Sequence, residues 1–205
     1  MRNHSRPIFI VVIFILLLGC VLSATACAAK TTFEAGSRTD FAYTNESVDL
    51  TLTLPDKWAF YDDTLIRMMM ASSGQLVADK DSLAKSEAGS QYEFMAYSPA
   101  GDTISLVADT ANSRVSLRRY INSYKQSMTA QIPDSVCTFG DDMPEIILGG
   151  ESWTRLTVRS TLLGVTMTQY VWFCKLDDAI LTLTAADLSG QDAAYYESLF
   201  TTAAS

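Results

Sequence analysis

Ser82 and Lys85 stand in an S-x-x-K arrangement, which on a helix brings a serine nucleophile within one turn of a lysine able to take up its proton. The S-D-N and K-T-G elements that complete such acyl-transfer sites are both absent, so a solvated helix face is the better reading of this pair. Carboxylates occur as three adjacent pairs: Asp62 with Asp63, Asp141 with Asp142, and Asp177 with Asp178. A calcium site needs several such oxygens converging on one point. Neighbouring side chains on a strand diverge and none of the pairs sits in an EF-hand-like loop, so turns and helix starts account for them better. Carboxylates distant in sequence could also converge for acid–base work, which spacing does not reveal. Met68, Met69 and Met70 cannot share one helix face, which argues against a thioether metal box and favours core filling.

Cys137 and Cys174 are a candidate disulfide in an exported chain, and closing the loop between them would stabilise the fold by about 4 kcal/mol. Two separate buried thiols are the alternative, because Cys174 lies within an apolar strand. The sole histidine, His4, lies in a segment expected to be removed. A mature chain without histidine has no Ser-His-Asp triad, no Cys-His dyad and no ordinary catalytic zinc site. No metal site and no cofactor are expected.

The segment that removes His4 reads as an export signal. Arg2 and Arg6 precede an unbroken apolar run from Ile8 to Leu18, and small residues follow from Ser23 to Ala26. The stretch ends in VLSATAC, which resembles a bacterial lipobox and makes Cys27 the expected lipid anchor. Cys20, after Leu17, Leu18 and Gly19, is the alternative; plain cleavage after Ala26, or retention of the run as a spanning helix, are further ones. Each places the protein outside the cytoplasm, and lipidation would hold it on the membrane surface through its acyl chains. Removal of residues 1–26 takes away two arginines and no carboxylate, so the formal charge goes from -8 to -10. An acidic chain with no basic stripe is a poor match for nucleic acid or for a polybasic membrane contact. The expected organisation is an export signal with lipobox over residues 1–26, a flexible tether over 27–40 and a single domain over 41–205.

Within the domain the stretch Val165–Ala186 predicts a central hairpin. Val165, Met167, Val171 and Phe173 fall on one side of its first strand and Tyr170, Trp172 and Cys174 on the other, so both faces should be covered. Leu181 and Leu183 oppose Ile180 on the second strand. Upstream, Val48, Leu50, Leu52 and Leu54 alternate with polar residues in a hairpin that Pro55 ends. Trp58 and Phe60 should fold back onto the sheet. Asp62 and Asp63 suit the start of a helix over Thr64–Ala71. A second hairpin pairs Tyr92–Tyr97 with Thr103–Ala108. Leu117, Tyr120, Ile121, Tyr124 and Met128 form a helical stripe within Ser116–Gln131. Ile146–Leu148 and Trp153–Ser160 lead into the central hairpin, and Ser189 is placed to cap a last helix burying Tyr196, Leu199 and Phe200. The fold class expected is α+β, an antiparallel sheet with helices on both faces.

Leu54-Pro55-Asp56-Lys57-Trp58, Leu148-Gly149-Gly150, and the strand pair around Gln169-Tyr170-Val171 and Leu181-Thr182-Leu183, taken in this element order, resemble the PsbP-like (DcrB-related) α/β/α sandwich over about Phe41–Thr202. That family includes extrinsic photosystem II subunits, a Ran-GTPase-binding protein and DcrB-related envelope lipoproteins. The resemblance implies a role in binding other macromolecules and supplies no shared catalytic motif. The expectation is a non-catalytic envelope lipoprotein acting on a protein partner. The alternative is a small-ligand binder with a cavity between helices and sheet, lined by Trp58, Trp153, Trp172 and tyrosines.

Overall fold

The computed structural model describes residues 33–66, 68, 89–111, 114–131, 137–162 and 165–203. Four strands form a small antiparallel sheet in the order β1 (Ser37–Arg38), β2 (Ala42–Asn45), β3 (Leu50–Thr53) and β12 (Phe200–Thr201). The large sheet runs β4 (Ala59–Phe60), β5 (Ser90–Tyr97), β6 (Thr103–Thr110), β11 (Ala179–Asp187), β10 (Val165–Lys175), β9 (Glu151–Leu162) and β7 (Cys137–Phe139), with β8 (Glu145–Leu148) also on β9. The described fold also has helices α1 (Leu117–Gln131) and the short α2 (Ala193–Glu197), a 3-10 turn over Glu46–Val48, and helical residues at 63–66 and 68, where a helix was expected.

The central hairpin forms as its pattern requires, with Trp172 opposite Leu183 and Lys175 opposite Ile180 across β10 and β11. Its inner face, toward the small sheet, carries Trp172, Cys174, Leu181, Leu183 and Ala185. Ile104, Leu106 and Trp153 join them, and Leu50, Leu52 and Leu54 cover them from the small sheet. The outer face places Val171, Phe173, Leu156 and Val158 beneath Tyr120, Ile121, Tyr124 and Met128 of α1. Those four helix positions recur at helical spacing and all are buried, which fixes how α1 lies on the sheet.

The expected layering is therefore corrected. The chain is β-rich and is not a helix-flanked α/β/α sandwich, because the inner face is closed by a second sheet. The Val48–Leu54 alternation supplies the apolar side of that sheet and packs across the large one. The last helix is also shorter than expected. Asp192 caps it by accepting from the Tyr195 N–H at 2.9 Å, whereas the Ser189 hydroxyl donates to Asp102 at 2.8 Å. The helix stops at Glu197, and Phe200 pairs with Leu52 as part of β12.

The ordered domain begins before Phe41. Phe33 is buried in the inner core, β1 pairs with β2, and Arg38 meets Asp63 at 2.7 Å, although Glu34, Ala35, Ser37, Thr39 and Asp40 are exposed; residues 27–32 of the expected tether lie outside the described residues. Gly149 and Gly150 join the two sheets. Gly149 has φ +61°, and a Cβ there would stand 2.3 Å from the Asp49 carbonyl oxygen, an approach that only glycine allows. The Gly150 N–H donates to the Val48 carbonyl at 3.3 Å across the same contact.

Candidate functional site

Strand β9 is longer than any one neighbour on its outer edge. β7 pairs with residues Val158–Ser160 and β8 with Glu151–Thr154, so two short strands share the edge end to end. Between them the Gly140 N–H donates to the Thr157 carbonyl at 2.8 Å and the Arg155 N–H to the Pro144 carbonyl at 2.9 Å. The residues from Asp141 to Met143 have no room in the ladder and stand out as a wall. The result is a cavity of about 680 Å³ lined by Thr138, Asp141, Met143, Arg155, Thr157 and Arg159, among others.

Strand alternation sets its floor. Leu156 and Val158 are buried under α1, so Arg155, Thr157 and Arg159 point to the inner side, beyond the reach of the small sheet. Arg155 Nη1 donates to Glu197 Oε1 at 2.6 Å, and the same oxygen accepts from Trp172 Nε1 at 3.1 Å, which fixes the guanidinium against α2. Arg159 is exposed. Lys125 lies over the Phe139 ring, 5.7 Å from its centroid, and its Nζ donates to Met143 Sδ at 3.7 Å. Met143 is 39% exposed and Ile147, on β8, is 68% exposed. Among the described strands β8 pairs with β9 alone, so its other side presents unpaired backbone groups beside these apolar side chains.

Two buried carboxylates at the other end of β11 have no such opening. Asp102 accepts from the Leu188 and Ser189 N–H groups and from the hydroxyls of Ser98 and Ser189. Asp187 accepts from the Gly190 and Gln191 N–H groups and from the Tyr196 hydroxyl. Their donors tie the 98–102 turn to the 187–192 loop, a structural task. Burial, with Asp102 and Asp187 nearby, pushes the Tyr196 hydroxyl far above its ordinary value and keeps it a donor.

The outer face of the large sheet is more unusual, because its polar side is covered. Thr103, Ser105 and Asp109 alternate with Ile104, Leu106 and Ala108 on β6, and Thr182 and Thr184 alternate with Leu181, Leu183 and Ala185 on β11. All five polar residues are buried, as are Gln169 on β10 and Ser160 on β9. Asp109 accepts from Ser90 and from Tyr120 of α1, and Tyr120 also meets Thr182 at 3.2 Å. Burial pushes the Asp109 carboxyl up to about 6, against the opposing effect of its two hydroxyl donors. Gln169 is fully buried, and neither its amide nitrogen nor its amide oxygen has a partner.

Cys27, Cys20, Ser82 and Lys85 lie outside the described residues. Cys137 and Cys174 are not joined: Cys174 packs in the inner core and Cys137 in the outer, with the sheet between them, so the candidate disulfide gives way to two buried thiols. Burial raises the Cys174 thiol to about 12, with the Glu151 carboxylate adding to the rise. The aspartate pairs stay apart. Asp62 accepts from the Leu65 N–H, Asp63 pairs with Arg38, Asp141 and Asp142 line the groove, and Asp177 and Asp178 fall in the β10–β11 turn. Among the described residues no three His, Cys, Asp or Glu side chains are grouped to hold a metal. Trp58, Trp153 and Trp172 are buried in the inner core; Met68 is 59% exposed, so core filling does not describe it. Asp109, Gln169 and the Arg155–Arg159 floor carried no sequence signal beyond ordinary strand alternation.

No family model matches the chain and no curated protein matches it. Among solved structures it is similar to the cyanobacterial PsbP protein of Synechocystis, with 9% identity and a TM-score of 0.48 over 87% of this chain and 98% of that one. It is also similar to LpqN of Mycobacterium tuberculosis, described as involved in cell envelope biogenesis, with 13% identity and a TM-score of 0.36 over 68% and 71% of the two chains. A protein of Bacteroides thetaiotaomicron is 11% identical with a TM-score of 0.42, covering 77% of this chain, which spans 45% of that protein's length. Likenesses this distant carry no argument about family, partner or activity.

Proposed function

We propose that the protein is a non-catalytic binding module, held at the outer side of a membrane by lipid on Cys27, that takes an extended segment of an envelope protein along β8 and into the groove beside β9. The observation that carries this reading is the groove itself: a cavity of about 680 Å³ opening beside an edge strand, with Met143 exposed on its wall and Arg159 on its floor, while Ile147 is exposed on the other face of that edge strand. An edge strand supplies backbone affinity to an added strand, and neighbouring pockets read its side chains. The VLSATAC stretch and the histidine-free mature sequence support the anchor and the absence of catalysis.

The test is capture of the tagged, membrane-held protein from its own cells after mild crosslinking, in parallel for wild type, Ile147→Glu and Arg159→Glu. Both positions are exposed, so the variants should keep the wild-type unfolding midpoint. A stoichiometric envelope protein recovered with wild type and lost with Arg159→Glu supports the groove as the docking site, and loss with Ile147→Glu supports docking along the β8 edge. Equal recovery with both variants would place the partner elsewhere. Fractionation of Cys27→Ser and Cys20→Ser variants tests the anchor: the former should leave the membrane fraction and the latter should remain.

A further inference from the structure

The floor and the wall of the groove carry charges of opposite sign that do not meet each other. Among the described residues the ion pairs are Arg38 with Asp63 and Arg155 with Glu197; Arg159, Asp141 and Asp142 belong to neither, although all three are exposed and line the same cavity. The charge of Arg155 is already met by Glu197, so Arg159 is the cation left on the floor. Lys125 reaches the wall from α1, but its Nζ lies over the Phe139 ring and donates to Met143 Sδ, not to an aspartate. Charges of both signs held apart around one cavity suit a guest that carries both.

Strand register gives their spacing. The wall leaves the ladder at the level of Thr157, whose carbonyl takes the Gly140 N–H, and returns at Arg155, whose N–H donates to the Pro144 carbonyl. Arg159 lies two residues beyond Thr157 on the same side of β9, opposite Thr138 of β7. Two residues of extended chain span about 7 Å, so a segment running along β9 brings side chains i and i+2, on one face, to the arginine and to the aspartates. Adjacent side chains cannot serve, because they point to opposite faces. The formal charge of -8 adds to the choice: an acidic surface draws in a basic group and holds off a segment that is acidic throughout.

We infer that the segment seated in this groove carries one acidic and one basic side chain two residues apart, the carboxylate pairing with Arg159 and the basic group with Asp141 and Asp142. The inference rests on the groove as the docking site and adds the feature of the partner that the groove reads. Arg159 presents planar, forked donors that grip a carboxylate in one orientation, so it sets the register, whereas the aspartates accept lysine or arginine alike.

The probes are acetylated, amidated hexapeptides, Thr-Val-Glu-Thr-Lys-Val and Thr-Val-Lys-Thr-Glu-Val, which cover both chain directions. The controls carry Glu at both charged positions, Lys at both, or Glu and Lys side by side. Each is titrated calorimetrically into the full chain at low salt. The expected result is that one of the two alternating peptides binds at least fivefold tighter than every control and weakens as salt is raised. Arg159→Glu should lose that preference and bind the Lys-Thr-Lys control at least fivefold tighter than wild type does, while Asp141→Lys combined with Asp142→Lys should turn the preference to the Glu-Thr-Glu control. A misfolded variant loses binding but does not reverse its choice. Equal affinity for the alternating peptides and the controls, or an unchanged preference in both charge-reversal variants, would overturn the inference and leave strand docking standing. Binding of none of the peptides would overturn both.

Discussion

Replacement of Asp109 by asparagine should abolish a specific part of the protein's pH dependence. The folded carboxyl is buried and pushed up to about 6, whereas in the unfolded chain it ionises near its ordinary value of 3.8. Between those values unfolding releases a proton, so this group's contribution to stability is fully present below the lower value and is lost as pH rises through the upper one. At about 1.4 kcal/mol per unit, a displacement of roughly two units amounts to about 3 kcal/mol. Asparagine keeps the shape and an acceptor for the Tyr120 hydroxyl but does not titrate. The assay is urea unfolding from pH 4 to 7.5, followed by the fluorescence of the buried Trp153 and Trp172. The stability of wild type relative to Asp109→Asn should fall by about 2.5 kcal/mol from pH 4 to pH 7.5, the remainder being lost below pH 4. Tyr120→Phe removes a donor that holds the carboxyl down, so in that variant the fall should move to higher pH. A difference between wild type and Asp109→Asn that stays flat across the range would refute the assignment.

Gly149→Ala should lower stability by about 2–4 kcal/mol at an unchanged denaturant slope, because it adds a Cβ at positive φ against the Asp49 carbonyl; denaturant midpoints report it. Glu197→Ala leaves the partly buried Arg155 without its carboxylate and Trp172 Nε1 without its acceptor, and should cost about 1–3 kcal/mol with a shift of tryptophan emission. Cys137 and Cys174 should both resist alkylation in the folded protein and react once it is unfolded, as peptide mapping would show, and reductant should leave the melting temperature unchanged.

The parts of this fold that could be read from sequence are those whose neighbours are close in the chain. The central hairpin declared both its faces, since Phe173 and Trp172 are apolar on opposite sides, and the stripe from Tyr120 to Met128 declared the buried side of α1. The small sheet was not legible because it depends on Phe200 meeting Leu52, a pairing of the chain's two ends that no local pattern signals. The sequence placed Ser189 at the cap of the last helix, but Asp102 engages the Ser189 hydroxyl and Asp192 caps instead. Arg155, Thr157 and Arg159 read as an ordinary solvated strand side, and only the shared edge of β9 turns them into the floor of a groove. Likewise the threonines of β11 announced a polar face, while its burial is a property of the assembled molecule.

The pairing of β12 with β3 also bears on how the protein can be made. The small sheet starts with strands from the beginning of the domain and is completed by residues near its end, with the Ala203 N–H reaching the Asp49 carbonyl beside them. Contacts of such long sequence separation close late and slowly. Until β12 emerges, β3 has a bare edge beside Leu50 and Leu52, open to any other extended chain. A molecule lacking Phe200 and Thr201 thus exposes that edge to its neighbours, and β12 works as a latch that closes it.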